Sequence, residues 1–587
     1  MAILITALTV IGMIILLLME MYDPLKIFIM AVAVFLLFGY VSIDEAVAGF
    51  SNKGVLSVAV LFIIAGTIEK SALFQKLTQF NNLEKQNFNP MKLFVTIVGL
   101  SAFLNNTPIV SLFIPITKKI SRRTGISASK LLIPISYLSL LGGILTLIGT
   151  STNLVVSGLM EEMGFEPLGF FELTKISLPS VCFGVLYIYL FHKRRLPDNS
   201  DALESSMKQT NEHFVRFIVK RESSIVGKSV QNANLRALAG VYLVEIERNG
   251  MQVFPVTPEE VIRKNDLLIF AGQTDQIDEL KNIDHLVLES DYHFKTNYFN
   301  HDNTLLIEAV VTQPLGKPSL TIKELKFRKK YNAVIIGVIR NGERIQGKLG
   351  SIQPKMGDIF LMIAEKGTTG FLERDPALTI INSEERKVVE QGPKSIFPVI
   401  AFLGTIFFAV AFNLSILHTA VIAVAFLLVT NTLQIKEALG MIEYKTIILI
   451  ATSFAIGKAL MNTGTASFIA DSLEPFIADL HPIPLMMLVY IITNLFTTVI
   501  TNNAAAIIAL PIVTEMISVT PYEVRPFLLV MAIAASSSFL SPYGYQTNTM
   551  VYGAGGYKYR DFVYFGYPLT IILMITSTLS AYFLFFN

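Results

Sequence analysis

The stretch Ile500–Ile512, ITNNAAAIIALPI, places two adjacent asparagines, Asn502 and Asn503, inside otherwise apolar sequence. A polar side chain without a hydrogen-bond partner costs on the order of several kcal/mol at the depth of a lipid bilayer, so these amides need partners. The pattern also occurs 396 residues earlier, where Asn105–Ile116 reads NNTPIVSLFIPI and closes on the same Pro-Ile pair. The chain therefore repeats a segment that is polar at its centre and apolar on both sides.

Composition sets the class of protein. The chain has 587 residues, of which 52% are hydrophobic and 16% charged. The apolar residues gather in blocks of about 20, the length that spans a bilayer. The single cysteine, Cys182, excludes a disulfide framework and a cysteine-rich metal site, and a formal charge of +2 gives no indication of nucleic-acid binding. We predict a polytopic α-helical membrane protein.

Two further matches indicate that the repeat is long. SIDEA at Ser42–Ala46 matches QIKEA at Gln434–Ala438, at an offset of 392 residues. GTSTN at Gly149–Asn153 matches GYQTN at Gly544–Asn548, at an offset of 395 residues. The three matches follow one another in the same order, and their offsets differ by at most four residues. This indicates one unit that has been duplicated.

The predicted repeats cover residues 1–195 and 395–587. Each comprises three spanning helices, an Asn-bearing re-entrant hairpin, a helix broken at its GxxxN motif and a last helix. In the first repeat the helices are predicted near residues 2–20, 24–40, 55–70, 91–120, 130–160 and 174–191. The first hairpin tip is predicted at Asn105–Thr107, with Thr107 capping a half-helix that starts at Pro108. Since a hairpin enters and leaves on one side of the membrane, each repeat crosses five times, and this odd number inverts the second copy.

The distribution of charge predicts which side of the membrane each segment faces. Basic residues concentrate around the first hairpin and after the last helix of the first repeat: Lys70, Lys76, Lys85, Lys92, Lys118, Lys119, Arg122, Arg123, Lys130, Lys193, Arg194 and Arg195. By the positive-inside rule, these segments and the insert lie in the cytoplasm, with both termini outside. The second hairpin, next to Asp471, Glu474 and Asp479, then enters from outside, so that the two tips meet near the midplane. Glu20 and Asp23, which this scheme places inside, fit it poorly.

Opposed hairpin tips and broken helices are typical of secondary transporters. The tips read Asn105-Asn106-Thr107 and Thr501-Asn502-Asn503, and GTSTN and GYQTN mark the broken helices. In these motifs the chain resembles the divalent anion/sodium symporter family of the ion transporter superfamily. The tips of that family carry Ser-Asn-Thr, and its dicarboxylate carriers continue with Gly/Ala-Thr-Pro-Pro-Asn. The resemblance covers nearly all of both membrane halves.

The resemblance implies two sodium sites. The first would comprise Ser101, Asn105, Asn106 and the carbonyl of Gly149, and the second Thr497, Thr501, Asn502 and the carbonyl of Gly544. Neutral oxygens suit Na⁺, which is a hard cation. Ser101 and Thr497 each precede their tip by four residues, about one helical turn, and their correspondence is independent of the motifs that define the repeat.

The resemblance also implies a site for an anion, formed by Asn106, Thr107, Thr152, Asn153, Asn503, Thr547 and Asn548. These segments contain no lysine or arginine, so the anion would meet helix dipoles, amide and hydroxyl donors, and bound sodium. The Pro-Pro pairs of the dicarboxylate carriers are replaced by Ser151-Thr152 and Gln546-Thr547, which adds hydrogen-bond donors. A tetrahedral oxyanion such as sulfate therefore fits better than a dicarboxylate, which stays the alternative. The chain is most similar to the sulfate-transporting branch that has an inserted cytoplasmic domain.

The insert is itself a tandem repeat, with modules predicted at residues 205–290 and 300–385. Asp266 and Asp358 each fall seventeen residues after the asparagine of an Asn-Gly turn. Alternating apolar strands around such turns indicate small α+β modules with β-hairpins. The modules resemble TrkA C-terminal (RCK-C) domains, which implies either dimer assembly or the sensing of a small ligand, with a nucleotide as one candidate.

Other interpretations stay open on the sequence. Asparagine, serine and threonine often join membrane helices by hydrogen bonds of roughly 1 kcal/mol, so any one of these residues can be structural. A regulated potassium channel would explain the insert, but the TVGYG filter is missing. A sodium/proton antiporter would need a titratable side chain to carry its proton, and the motif segments contain no Asp, Glu or His. An enzyme is disfavoured because the insert shows no catalytic or metal-ligand pattern. The expected partners are membrane lipid and, by the resemblance, a second copy of the chain in a homodimer.

Overall fold

The computed structural model describes residues 1–18, 24–69, 71, 89–199, 212–235, 241–249, 251–254, 256–273, 286–288, 304–316, 319–345, 349–365, 372, 375, 377–383, 396–412 and 414–586. The module and repeat ends predicted at residues 205, 290, 300, 385 and 395 lie outside the described residues. The same holds for the charges expected at Glu20, Asp23, Lys70, Lys76 and Lys85.

The first half of the chain contains nine helices within the described residues. They are α1 Ala2–Leu18, α2 Pro24–Leu37, α3 Ile43–Ser51, α4 Lys53–Glu69, α5 Pro90–Ser101, α6 Asn106–Thr124, α7 Ser129–Gly143, α8 Ser151–Glu162 and α9 Glu172–Arg195. The short helix α3 is absent from the sequence prediction. It begins in a capping box, in which the Glu45 carboxylate accepts from the Ser42 N–H at 2.8 Å and the Ser42 hydroxyl accepts from the Glu45 N–H at 3.2 Å.

A similar series of helices follows the insert. They are α11 Phe397–Ala411, α12 Ile416–Val429, α13 Ile435–Met441, α14 Tyr444–Asn462, α15 Thr465–Ile477, α16 Pro482–Val499, α17 Asn502–Ser518, α18 Arg525–Ala535, α19 Gln546–Ala554 and α20 Tyr559–Phe585. Like α3, the short helix α13 begins in a capping box, where the Gln434 N–H donates to the Glu437 carboxylate at 3.3 Å. The matching motifs SIDEA and QIKEA therefore mark the same local structure in both halves. The inversion of one half relative to the other stays a prediction.

Both Asn-bearing segments form helical hairpins. Residues 102–105 join α5 to α6, and a shorter turn joins α16 to α17. The expectation that Thr107 caps the second arm is wrong, because the helix already begins at Asn106. Its cap is Asn105, whose side chain accepts from the Asn106 N–H at 2.9 Å. Asparagine is a better N-cap than threonine, so the first tip lies slightly earlier than predicted.

The helix after each hairpin is broken, as predicted. α7 ends at Gly143 and α8 begins at Ser151, while α18 ends at Ala535 and α19 begins at Gln546. A helix end leaves several N–H or carbonyl groups without a partner in the helix. The two breaks therefore provide polar backbone groups within apolar surroundings.

Five helical segments of the described residues are long and apolar enough to span a membrane. They are Ile43–Ile68, Glu172–Arg195, Tyr444–Asn462, Pro482–Val499 and Tyr559–Phe585. Several of the remaining apolar helices are shorter, and α16, which is long enough to span, is an arm of the second hairpin. The chain thus has several spanning-capable helices, while ten crossings and the sidedness stay predictions.

The described part of the insert contains two five-stranded antiparallel sheets and a short helix, α10 Phe327–Tyr331. The strands are β1 Glu212–Val219, β2 Val241–Arg248, β3 Met251–Val253, β4 Leu267–Gln273, β5 Leu286–Leu288, β6 Thr304–Val311, β7 Ala333–Arg340, β8 Glu343–Arg344, β9 Ile359–Glu365 and β10 Leu378–Ser383. The strand orders are β3-β2-β4-β1-β5 and β8-β7-β9-β6-β10, so both sheets have the same topology.

The β-hairpins predicted at the Asn-Gly turns are present in both sheets. Arg248 pairs with Met251, and Arg340 pairs with Glu343, which leaves two residues in each turn. The turn asparagine has φ of 52° in the first hairpin and 53° in the second. This left-handed conformation is the one that two-residue hairpin turns require.

Each hairpin is fixed by a buried aspartate that directly precedes a neighbouring strand, Asp266 before β4 and Asp358 before β9. Arg248 donates from Nε and Nη2 to Asp266, both at 2.9 Å, and Arg340 donates to Asp358 at 2.7 and 2.8 Å. Both aspartates are fully buried, and their hydrogen bonds raise the pKa of each arginine. Such bidentate pairs are strong and geometrically specific, so these aspartates hold the modules together.

The second sheet packs directly against the membrane helices. Val310, Ile339, Ile359 and Ile381 belong to the same apolar cluster as the helices. Two polar contacts join them: Lys118 of α6 pairs with Glu308 of β6 at 3.2 Å, and the Tyr552 hydroxyl of α19 donates to Asn341 Oδ1 at 3.2 Å. The insert therefore contacts one arm of the first hairpin and the second broken helix.

We expect Gly553→Ala to loosen this docking, because a Cβ at Gly553 would collide with the backbone carbonyl oxygen of Gly357. The reporter is a cysteine at position 381, Ile381→Cys, because the native side chain there is fully buried. Cys182 is first replaced by alanine, so that a water-soluble maleimide reacts only with the reporter, and the rate of labelling is measured. Labelling should be several-fold faster in the Gly553→Ala variant. Gly457→Ala is the control, since a Cβ there meets nothing within 4 Å. Equal labelling rates in both variants would contradict tight docking.

Candidate functional site

The four polar segments singled out in the sequence meet in two crossed pairs. The tip of the first hairpin contacts the second break: Asn106 Nδ2 donates to the Tyr545 hydroxyl at 3.1 Å. The tip of the second hairpin contacts the first break, where the Thr152 hydroxyl donates to Asn503 Oδ1 at 2.9 Å. Residues from both halves of the chain therefore form one polar region inside apolar helices.

An oxygen cluster lies around Ser101, which belongs to the first predicted sodium site. The Ser101 hydroxyl lies 2.6 Å from Asn106 Oδ1 and 2.8 Å from the carbonyl oxygen of Ser139 at the end of α7. Gly143 has no side chain, and the space that a Cβ would occupy there is bordered by two oxygens. A Cβ at this position would lie 2.9 Å from Asn106 Oδ1 and 3.3 Å from the Gly149 carbonyl oxygen, so these two oxygens are close to each other. Ser101 and Asn106 are almost fully buried.

The second cluster repeats this geometry around Thr497. The Thr497 hydroxyl lies 2.6 Å from Asn502 Oδ1 and 2.8 Å from the carbonyl oxygen of Ala535 at the end of α18. A Cβ on Gly544 would lie 2.8 Å from the Thr497 carbonyl, so the second break packs closely against α16. The Thr501 hydroxyl caps α17 by accepting from Ala504 N–H at 3.4 Å.

In both clusters one hydroxyl proton faces two acceptor oxygens. A hydroxyl donates a single hydrogen bond, so the second acceptor at each centre receives none from it. The acceptors that the sequence prediction misses are the carbonyls of Ser139 and Ala535. They lie 396 residues apart, the same offset as the hairpin tips, which is the signal that would have indicated them.

The asparagines at the end of each GxxxN motif hold the breaks together. Asn153 Nδ2 donates to the carbonyls of Gly143 and Thr146 at 3.1 and 2.9 Å. Asn548 Nδ2 donates to the carbonyls of Ser538 and Ser541 at 2.6 and 3.0 Å. Both side chains are fully buried. Their donors are already used, so the structure gives them a bracing role.

The remaining predicted anion-site residues differ in how deeply they are buried and in whether they are hydrogen-bonded. Thr547 is fully buried and accepts from Ser136 Oγ at 2.9 Å. Thr107 and Asn503 are half-buried at their hairpin tips, and Thr107 donates to Gln546 Oε1 over a long 3.4 Å. Thr107 and Asn503 therefore sit where a solute can reach them.

The two halves differ at the position of Tyr545. Tyr545 supplies the hydroxyl that accepts from Asn106 Nδ2, but its counterpart 395 residues earlier is Thr150, which is buried and has a shorter side chain. Asn502 Nδ2, the counterpart of the Asn106 donor, is buried without a described partner. An amide NH₂ group without a described partner therefore lies beside the second cluster.

A cleft leads to the first tip. It lies between α4, α11 and the first hairpin, and Phe62, Phe402 and Phe103 line it together with Asn105 and Ser151. Its walls are largely apolar, with polar groups where it meets the tip and the break.

Comparison with known proteins finds transporters that are similar along most of the chain. The family model described as citrate transporter (CitMHS) matches residues 14–534. The uncharacterized transporter sll0640 of Synechocystis sp. is 30% identical over 566 residues, with 94% of this chain and 92% of the relative covered. The uncharacterized transporter YfbS of Escherichia coli is 25% identical over 599 residues, covering 96% and 95%. Sodium/sulfate cotransporter 2 of Chlamydomonas reinhardtii is 21% identical over 755 residues, covering 92% and 84%.

The apolar helices and these relatives define a multi-pass membrane transporter. The chain belongs to the citrate transporter (CitMHS) family. The predicted resemblance to anion transporters is thereby confirmed at the level of the family, and the sodium/sulfate cotransporters among the relatives support anion symport in general.

Proposed function

We propose that the protein is a sodium-coupled symporter that imports a divalent inorganic oxyanion, with sulfate as the substrate, by alternating access. The observation that carries the proposal is the repeated oxygen cluster around Ser101 and Thr497. The sodium/sulfate cotransporter relatives supply the chemical class of the two solutes.

The oxygen clusters favour a small hard cation. Each cluster gathers a hydroxyl, an amide oxygen and a backbone carbonyl within hydrogen-bond distance. Sodium bound there would contact these neutral oxygens, which suit it. Asn105, Thr501 and the carbonyls of Gly149 and Gly544 would complete the two sites.

The anion would bind between the two tips, facing the starts of α6 and α17. Helix N-termini present free N–H groups and the positive end of the helix dipole. Thr107, Asn503 and the unpaired Asn502 Nδ2 add donors, and Thr152 and Thr547 lie directly behind them. No charged side chain occurs in these segments, so bound sodium supplies the positive charge. This arrangement couples the two solutes, since each lowers the electrostatic cost of binding the other.

The insert would act as a cytoplasmic regulatory unit in a homodimer, with a small ligand such as a nucleotide as a candidate effector. Its second sheet contacts α6 and α19, which begin at the first tip and the second break. A conformational change in the insert would therefore be transmitted through these two helices to both candidate sites.

We expect purified protein in proteoliposomes to accumulate radiolabelled sulfate only when an inward sodium gradient is imposed. Potassium in place of sodium is the cation control, and protein-free liposomes are the leak control. Excess thiosulfate should compete, because it keeps the tetrahedral shape and the charge of sulfate.

The same assay decides between substrates. Excess succinate or citrate should leave sulfate uptake unchanged, because the missing Pro-Pro pairs make the site donor-rich and compact. Sodium-driven uptake of a carboxylate without any sulfate uptake would overturn the oxyanion assignment and leave sodium coupling intact. Uptake that is independent of sodium would overturn the coupling itself.

A further inference from the structure

Tyr545 is the residue through which the second break reaches the tip of the first hairpin. Its hydroxyl accepts from Asn106 Nδ2 at 3.1 Å, although the two residues lie 439 positions apart. At the corresponding position of the first break, Thr150 has nearly the same backbone conformation. The φ and ψ angles are −143° and 147° for Thr150 and −146° and 142° for Tyr545. The two breaks therefore differ here in the side chain and not in the backbone, and the long side chain of Tyr545 makes the contact.

This contact holds one end of the Asn106 amide. Asn106 Oδ1 accepts from Ser101 Oγ at 2.6 Å, and Asn106 Nδ2 donates to Tyr545. The side chain is almost fully buried, so an amide group that lost one of these partners would have no bulk water to replace it. An amide that is hydrogen-bonded at both ends cannot rotate freely. Tyr545 therefore fixes the plane in which Asn106 Oδ1 faces the first oxygen cluster.

The backbone of Tyr545 belongs to the second break. The peptide bond that precedes Tyr545 carries the carbonyl of Gly544, which is a proposed ligand of the second sodium ion. The peptide unit is planar, so a rotation of this carbonyl also moves the backbone of Tyr545. A Cβ on Gly544 would lie 2.8 Å from the Thr497 carbonyl, so this peptide packs against the second oxygen cluster. A change in the position of the Gly544 carbonyl is therefore transmitted to Tyr545.

We infer that Tyr545 is a positioning residue that links the two proposed sodium sites. Its hydroxyl fixes Asn106, a ligand of the first site, and its peptide bond carries a ligand of the second. Sodium at either site then favours the geometry that the other site needs, and such a linkage is reciprocal. The opposite tip lacks this contact among the described residues, since Asn502 Nδ2 is buried there without a described partner. The inference rests on the proposed sodium coupling and adds cooperativity between the two ions.

The test is equilibrium binding of radioactive sodium to the purified protein in nanodiscs, without transport. The wild-type protein should bind two sodium ions per chain with a Hill coefficient above 1. Tyr545→Phe removes only the hydroxyl. It should weaken the binding of one ion about tenfold, since residues that orient a metal ligand typically contribute about 10–100-fold in affinity, and it should abolish the cooperativity.

Tyr187→Phe is the matched control. The Tyr187 hydroxyl is also buried and also joins the two halves of the chain, by donating to the Phe565 carbonyl at 2.9 Å, but it contacts neither oxygen cluster. This variant should lose thermal stability and keep wild-type sodium binding, which is also the result that a purely structural role of Tyr545 would give. In an Asn106→Ala background, Tyr545→Phe should cause no further loss of sodium affinity, because it acts through that amide.

The outcomes distinguish the two proposals. A folded Tyr545→Phe variant with wild-type sodium affinity and Hill coefficient overturns the link and leaves sodium coupling standing. Independent binding of two sodium ions by the wild-type protein does the same. A wild-type protein that binds no sodium overturns the proposed coupling and the link together. If thermal unfolding shows that Tyr545→Phe does not fold, Tyr545→Gln, whose side chain is too short to reach Asn106, replaces it in the same assay.

Discussion

Replacing the amide at either tip, in Asn106→Ala or Asn502→Ala, should raise the sodium concentration for half-maximal uptake by at least about tenfold. Losing a group that only orients a metal ligand already costs about 10–100-fold in affinity, and these amides are proposed as ligands themselves. Each also accepts from the buried hydroxyl of its cluster, at 2.6 Å in both halves. The measurement is sodium activation of sulfate uptake in proteoliposomes.

The control for both tip variants is Asn462→Ala. Asn462 is exposed at the end of α14 and donates to the Tyr40 carbonyl and to Glu45, away from both clusters. It should keep wild-type sodium activation. The assignment requires the tip variants to remain folded, which their thermal unfolding would establish. Wild-type sodium activation in both folded tip variants would refute the ligand roles.

A structural role for the tip amides would give a different result. If Asn106 and Asn502 only join helices, their removal costs roughly 1 kcal/mol of stability each and leaves the sodium dependence unchanged. Sodium dependence and thermal stability therefore report on different roles of the same side chain.

The sequence predicts the hairpins, the breaks and the serine–threonine correspondence because a duplication leaves its motifs at a constant offset. Ser101 and Thr497 are each one turn before their tip, and the structure places both against the amide of that tip. The tip itself is displaced because two residues close together in the sequence, Asn105 and Thr107, are both competent caps. Sequence ranks them only by general preference, whereas the local backbone selects Asn105.

What the sequence does not predict depends on backbone groups and on contacts between the halves. The carbonyls of Ser139 and Ala535 carry no side-chain signature, because any residue has a carbonyl. The contact of Asn106 with Tyr545 joins residues 439 positions apart. It depends on how the two halves pack, which no local pattern encodes. Asp266 was identifiable by its spacing, but its partner Arg248 only by the hairpin geometry.

Breaking the ion pair between Lys118 and Glu308 should have the largest effect on stability. The two side chains are only 10% and 7% exposed, and their charged atoms lie 3.2 Å apart. Removing one partner breaks this buried ion pair, and breaking a buried pair typically costs about 3–5 kcal/mol. Lys118→Met and Glu308→Leu should each lower the thermal unfolding temperature and speed the labelling of Ile381→Cys. Lys130→Met is the control, because its pair with the exposed Asp198 should contribute at most about 1 kcal/mol.

The double variant Lys118→Met/Glu308→Leu tests whether the charge or the packing holds the insert. Replacing both charges by apolar side chains of similar size is often neutral, so most of the lost stability should return. Recovery of stability and of slow Ile381→Cys labelling would indicate that the surrounding aliphatic contacts suffice for docking. A double variant no more stable than either single one would contradict the compensation and would assign both residues further contacts. If transport activity follows docking through this series, the second sheet acts on the transport cycle through α6; if transport is constant while docking varies, the insert has no influence on it through this contact.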